Sequence, residues 1–280
     1  MDVEFYMENC YRISEFITKR YSTSFSFATS LLKKEQRRAI FAIYGFVRLA
    51  DEIVDTFHDF DKAFLLHDLH LQLHQAFEKG ISSNVLVASF VHTVKKYNID
   101  MQHIEAFMES MKNDLTKTDY ADGNDLKQYI YGSADVVGLM CLKVFCNGET
   151  MLYRQLEYSA QKLGSAFQKV NFLRDLHSDK MELGRTYFPE LVDKPFDNAS
   201  KQLIEQSIDE DFKEAWIGIR QLPGRSKLAV ALAYFYYQSL LQKIKRSTPD
   251  RLLSERIRIN NWQKYLMMIK VAFLYKTKQI

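Results

Sequence analysis

No proline occurs before Pro189 in a chain of 280 residues. Proline breaks helices by removing a backbone donor and crowding the preceding turn, so the first two thirds of this chain can support long, unbroken helices. The remaining prolines stand at 196, 223 and 249, and glycine occurs only 10 times. Apolar residues recur three and four apart, the spacing of amphipathic helices, and no strand-type alternation is sustained between turn signals. No repeat of fixed period is present. The pattern predicts helices over 4–20, 34–56, 60–79, 82–97, 101–116, 124–131, 133–146, 149–178, 199–205, 208–219, 224–246 and 254–278. Turn chemistry marks "SSN" (82–84), "DGND" (122–125) and "FPELVDKPFDN" (188–198) as the clearest loops. The expected fold is all-α, a packed helical bundle rather than a solenoid. The length is near the upper size of one hydrophobic core, so one large domain or two closely packed halves both fit.

Net charge is +3, too small to imply a nucleic-acid partner. It is unevenly spread: from Lys243 to Lys278 ten Lys/Arg face two acids, Asp250 and Glu255. This segment includes "WQKYLMMIKVAFLYK", a last core helix with a solvated basic face or a helix that touches an anionic membrane surface. The longest apolar run, "LAVALAYFYY" (228–237), is too short to span a bilayer, and the N-terminus has no signal-type apolar core. Any membrane contact is therefore expected to be peripheral. Three cysteines, 10, 141 and 146, without metal-type spacing, read as reduced thiols of a cytoplasmic protein. Aromatic residues reach 14%, enough to build a core or to line a pocket for a greasy or cationic ligand.

Two polar rows interrupt this apolar pattern. In the helix over 34–56, Tyr44, Arg48, Asp51 and Asp55 share one stripe, beside an apolar stripe of Ile40, Ile43, Val47, Ala50 and Val54. One acidic pair four apart is common on solvated faces. Along the helix over 149–178 and just past its end, however, Gly164, Gln168, Asn171, Asp175 and Asp179 repeat the device beside Leu163, Phe167, Val170 and Leu173. Polar groups in a core need partners. Two carboxylate rows facing each other can partner only through cations. Oxygen-only ligation with no Cys/His set favours Mg²⁺, with Mn²⁺ as a second candidate, and Mg²⁺ is commonly shared with phosphate oxygens. Arg48, Arg174 and Lys169 stand near the rows as holders of phosphate charge. No GxxxxGK[ST] loop is present, which disfavours nucleotide hydrolysis.

At these residues the sequence resembles the squalene/phytoene synthase family. "YSTSFSFATSLL" (21–32), "AIYGFVRLADEIVD" (42–55), "YIYGSADVVGLM" (129–140) and "LGSAFQKVNFLRDLHSDKMELGRTYFP" (163–189) carry the likeness, which covers most of the chain. The central segment usually reads Ala-Gly in that family and here reads Ala134-Asp135. The acid is expected to point out of the bundle; the alternative is a further polar contact at the diphosphate.

The resemblance implies one isoprenoid-synthase-type bundle over 1–280 around a central cavity. Asp51, Asp55, Asp175 and Asp179 would hold Mg²⁺ against a prenyl diphosphate. Ser24, Phe25, Tyr44, Arg48, Gln168, Asn171, Arg174 and Tyr237 would contact substrate, and Phe25, Phe27, Tyr44 and Phe167 would present aromatic faces to cations. Ionisation of one prenyl diphosphate gives an allylic cation, which the double bond of a second attacks. The cyclopropylcarbinyl diphosphate so formed ionises, rearranges and loses a proton. The expected reaction joins two geranylgeranyl diphosphates into phytoene, without NADPH, since no separate nucleotide-binding motif is seen. Small Thr29 and a Phe41 that is not the largest option would leave room for a twenty-carbon chain. Squalene or dehydrosqualene from farnesyl diphosphate is the second expectation. A non-catalytic family member and a membrane-binding adaptor are the readings from other classes.

Overall fold

The computed structural model describes residues 2–117, 120, 122–181, 186–191, 195–277 and 279–280, with the side chains of 178–181, 190 and 261 outside the described set. Thirteen α-helices and no β-strand occur among the described residues: α1 (Val3–Tyr21), α2 (Thr23–Thr29), α3 (Lys34–Asp55), α4 (Lys62–Lys79), α5 (Val85–Tyr97), α6 (Met101–Asn113), α7 (Gly123–Ile130), α8 (Val136–Cys146), α9 (Thr150–Met181), α10 (Asn198–Ile219), α11 (Gly224–Lys245), α12 (Pro249–Leu252) and α13 (Asn261–Lys276). The fold is an all-α helical bundle, as the sequence pattern predicts.

Local chemistry sets many of the boundaries. Side chains of Asp2, Asp61, Asn84, Asp122, Asp197 and Asn260 accept backbone N–H groups at helix starts, which satisfies donors the first turn leaves open. Gly80, Asn98 and Asn147 end helices with positive φ of 83°, 54° and 49°, a conformation glycine and asparagine tolerate best. Asp122 caps α7 from outside, so helix begins within the expected "DGND" loop.

Four differences from the expected elements stand out. The short helix α2 is not anticipated by the sequence pattern, because seven residues carry too little periodicity. Segments 199–205 and 208–219 are one helix, α10, whose buried Lys201, Glu205 and Asp211 break the apolar pattern without breaking the helix. Segments 124–131 and 133–146 are continuous through a π-helical turn, Tyr131–Asp135, closed by the Val136 N–H on the Tyr131 carbonyl. Finally, 254–278 is not one helix. Residues 256–260 are outside any helix and bury Ile257 and Ile259 before α13 begins. In the expected loop 188–198, Pro189–Leu191 form a 3₁₀ turn and 192–194 lie outside the described residues.

One apolar cluster joins α3, α4, α5, α6 and α8, with Phe46, Leu73, Phe90 and Phe107 at its centre. A second joins α7, α9, α10 and α11, around Val170, Phe212 and Leu240. Run 123–146 has the length and mean hydropathy (1.4) to cross a bilayer, unlike 228–237, but 56% of its apolar window is buried in the bundle and Asp135 sits within it. It is a core helix. At Gly164 a Cβ would come within 2.9 Å of the Ala134 carbonyl oxygen, so α9 lies directly against the π-helical turn.

Candidate active site

A cavity of about 420 Å³ opens between the two clusters, walled by α2, α3, α8, α9, α10 and α11. Its deep part is apolar: Leu32, Ile40, Leu142, Phe145, Leu222 and Ala229. Along α3 the lining runs from Ile40 through Ile43 and Tyr44 to Val47, and Asp51 and Asp55 follow one and two turns later. Along α9 it runs from Leu156 to Gln168, Asn171 and Arg174, and Asp175 comes next. Both helices thus run from the apolar end toward a polar mouth and carry their carboxylates past it.

Stacked rings frame that mouth. Phe25 lies on Tyr44 with centroids 4.8 Å apart, and Phe167 lies on Tyr237 at 3.9 Å. The Tyr237 hydroxyl donates to Asn171 Oδ1 at 3.2 Å. Burial raises the pKa of Tyr44 and Tyr237; Arg48 opposes it at Tyr44, and Arg174 and the Asn171 bond oppose it at Tyr237. Both phenols therefore stay neutral donors. Ser24, Phe25, Phe27, Tyr44, Phe167, Gln168, Asn171, Arg174 and Tyr237, all expected at the site, line this cavity.

The carboxylates are matched by arginines. Asp51 Oδ2 receives Arg48 at 2.5 Å, and Arg48 also pairs with Glu52 while its guanidinium covers the Tyr21 ring at 4.5 Å. Asp175, 18% exposed, receives Arg174 Nε at 3.0 Å and Arg256 Nε at 2.6 Å. Burial opposes the Arg174 charge most strongly, but the bond to Asp175 together with the charges of Asp175, Tyr237 and Tyr236 outweighs it and holds its pKa above the usual value. Arg48 Nε is buried with no hydrogen-bond acceptor, and Arg48, expected to contact substrate, is not part of the cavity lining, which on α3 ends at Val47. Asp55 is partly buried at the end of α3. Asp179 and Arg185 of the "RTYFP" tail lie outside the described side chains.

The donor set fits a hard cation. Asp51, Asp55 and Asp175 offer oxygen only, with amide neighbours. The nearest histidine in sequence, His177, is committed to the Leu253 carbonyl at 2.6 Å, and Cys141 lies in the apolar part of the lining.

Three expected placements are corrected. Lys169 does not reach the mouth; it binds Asp211 Oδ2 and Ser207 Oγ, each at 2.7 Å, on the opposite side of α9. Phe41 packs in the core, 1% exposed, away from the cavity, whereas Thr29 does line it. Asp135 faces away from the cavity but is not solvated. It is 8% exposed, takes the Ser165 hydroxyl at 2.9 Å, and burial with the nearby Asp211 charge raises its pKa to about 7. The helix turns there as a π-turn, which swings residue 135 behind the wall that 134 lines.

Several mouth residues escape the sequence reading. Arg256 reaches Asp175, and Lys264 lines the cavity while its ammonium donates to Thr23 Oγ1 at 3.0 Å. Both belong to the basic C-terminal segment, so part of that charge serves the mouth. Glu52 is legible as the i+4 partner of Arg48; Arg256 has no local signal.

A sequence model described as squalene/phytoene synthase matches residues 18–263. The chain is 24% identical to 4,4'-diapophytoene synthase of Staphylococcus haemolyticus, covering 96% of this chain and 99% of that one. It is 28% identical to 15-cis-phytoene synthase of Synechococcus elongatus, covering 93% and 91%. A crystal structure of a dehydrosqualene synthase in complex with ligand superposes with a TM-score of 0.85 at 21% identity, covering 97% and 98%. Squalene synthase HpnC from Alicyclobacillus acidocaldarius does so at 0.76 and 21%, covering 88% and 96%.

Proposed function

The chain belongs to the squalene/phytoene synthase family, and from that premise we propose that it joins two geranylgeranyl diphosphates head to head into phytoene. The observation that carries this reading is an apolar cavity whose polar mouth lies between two carboxylate-bearing helices. Mg²⁺ held by Asp51, Asp55, Asp175 and Asp179 would supply electrostatic stabilisation of charge on the leaving diphosphate.

The chain's own residues do the rest. Arg174 lines the cavity and Arg48 holds Asp51 just past it; both carry planar forks suited to phosphate oxygens. Arg256 and Lys264 add positive charge at the same end. The faces of the Phe25–Tyr44 and Phe167–Tyr237 pairs suit carbocations. Apolar walls keep out the water that would quench them.

The twenty-carbon substrate is supported by the lining of α9, which extends from Leu156 to Arg174, about 27 Å at 1.5 Å per residue. Small residues, Thr29, Gly138, Ala160, Gly218 and Ala229, wall it. Farnesyl diphosphate giving dehydrosqualene or squalene is the second reading, favoured by the likeness to the Staphylococcus diapophytoene synthase. Incubation with Mg²⁺ and either diphosphate, with and without NADPH, followed by mass spectrometry of the extract, separates them. A forty-carbon hydrocarbon independent of NADPH is expected. A thirty-carbon product moves the substrate, and no product from either favours a non-catalytic role.

A peripheral membrane site for this greasy chemistry is part of the same reading. Trp262, Leu266, Ile269 and Phe273 form one exposed apolar stripe on α13, flanked by Lys270 and Lys276. Flotation with anionic vesicles, lost in a Trp262→Ser/Phe273→Ser variant, tests it.

A further inference from the structure

His70 and His74 stand one turn apart on α4, and Glu105 reaches them from α6. His70 Nε2 lies 2.9 Å from Glu105 Oε2, His74 Nε2 lies 3.2 Å from Glu105 Oε1, and the two Nε2 atoms are 3.0 Å apart. Two imidazole nitrogens and the two oxygens of one carboxylate therefore meet, and one ligand atom from each residue lies within 4.8 Å of the others.

Protons do not account for this arrangement. His70 Nε2 faces both a carboxylate oxygen and another imidazole nitrogen, and a single hydrogen serves only one of them. Glu105 Oε1 is buried without a hydrogen-bond partner, because His74 approaches it at close range but off the bonding direction. A cation at the centre would take both nitrogens and a carboxylate oxygen. Tetrahedral zinc has bonds of about 2.0–2.2 Å to nitrogen and oxygen, which places its ligand atoms about 3.3 Å apart; the two Nε2 atoms stand at 3.0 Å and each has one Glu105 oxygen at 2.9 or 3.2 Å, so a small turn of the carboxylate brings one oxygen to both. Two imidazoles and one carboxylate also suit zinc better than magnesium.

We propose that His70, His74 and Glu105 form a Zn²⁺ site that clips α4 to α6, with water in the fourth position. The three side chains are 34%, 48% and 42% exposed, so the ion enters directly from solvent. None of them lines the central cavity. The site is therefore separate from the aspartate mouth and does not depend on the prenyl-transfer reading. Its expected role is to stiffen the corner where α4 packs on both α3 and α6, behind the helix that carries Asp51 and Asp55.

The test is calorimetric titration of the metal-free full chain with Zn²⁺ alone, with Co²⁺ as a spectroscopic probe. One tight equivalent of Zn²⁺ and the intense visible band of four-coordinate Co²⁺ are expected. His74→Ala should weaken that binding by more than the ~10–100-fold that even loss of an outer-shell partner costs. Its Mg²⁺-dependent turnover should be unchanged. His70→Gln/His74→Gln, which keeps the side-chain bulk, covers the case in which alanine unfolds the corner. An Asp51→Asn/Asp175→Asn variant should retain the Zn²⁺ equivalent. Zn²⁺ binding that survives the histidine changes, that disappears with the aspartate changes, or that gives only the weak band of six-coordinate Co²⁺ would overturn the proposal.

Discussion

Replacing Asp135 by asparagine should stabilise the protein, and more so as pH rises. The carboxyl is 8% exposed and its pKa is raised from 3.8 to about 7, chiefly by burial. Because the folded-state value exceeds the unfolded one, the residue costs nothing below about pH 4, and stability drains away as pH climbs through 7. Full ionisation costs about 4 kcal/mol, since each tenfold change in proton affinity is worth roughly 1.4 kcal/mol. Asparagine keeps the shape and can still accept the Ser165 hydroxyl, but never ionises. Subtracting wild type from variant cancels every other titrating group. The gain should therefore be about 2–3 kcal/mol larger at pH 8 than at pH 5. At about 2–4 °C per kcal/mol for a domain of this size, the melting-point gain should grow by roughly 5–10 °C. Calorimetry of both proteins across that range is the assay. A difference that stays constant with pH would mean that Asp135 is ionised throughout, paired with Lys162 or Lys169, and that the account of its burial is wrong.

Other changes probe the site and its frame. Asp175→Asn removes the partner of both Arg174 and Arg256; turnover should fall by at least ~10²-fold, and near wild-type turnover under saturating Mg²⁺ would contradict a role at the mouth. Gly164→Ala forces a methyl to 2.9 Å from the Ala134 oxygen; about 1–3 kcal/mol of overpacking is expected, and an unshifted thermal melt would show that α9 can back away freely. Thr29→Phe fills part of the cavity lining and should shift turnover from the twenty-carbon toward the fifteen-carbon diphosphate. Unchanged chain-length preference would remove Thr29 from the length gauge.

The polar rows are readable because helical spacing makes a carboxylate on a core helix conspicuous. Asp51, Gln168, Asn171 and Asp175 each fall where the 3.6-residue period puts them. What spacing does not carry is the partner from a distant segment. Arg256 meets Asp175 across 81 positions, and no local pattern announces it. Lys169 misleads for the converse reason: one residue past Gln168 is about 100° around the helix, enough to aim it at Asp211 instead of the mouth. The helix ends that read well carry caps such as Asn84 and Gly80. The segment that reads badly, 254–278, has apolar residues at helical spacing that a non-helical stretch, through Ile257 and Ile259, buries equally well.

The π-helical turn between α7 and α8 has a consequence for what this chain can lose. Its i→i+5 closure takes up an extra residue, so everything downstream is rotated by about 100° relative to an uninterrupted helix. Upstream, Leu126, Tyr129 and Ile130 mesh with one set of neighbours; downstream, Val137, Cys141 and Phe145 mesh with the cavity. The turn works like a keyed coupling between two shafts set at different phases. Deleting a single residue from 131–135 would restore a straighter helix and yet put one half out of mesh along its whole length. Here the number of residues is constrained as tightly as their kinds, and a one-residue deletion should do more harm than any single substitution in the same five positions.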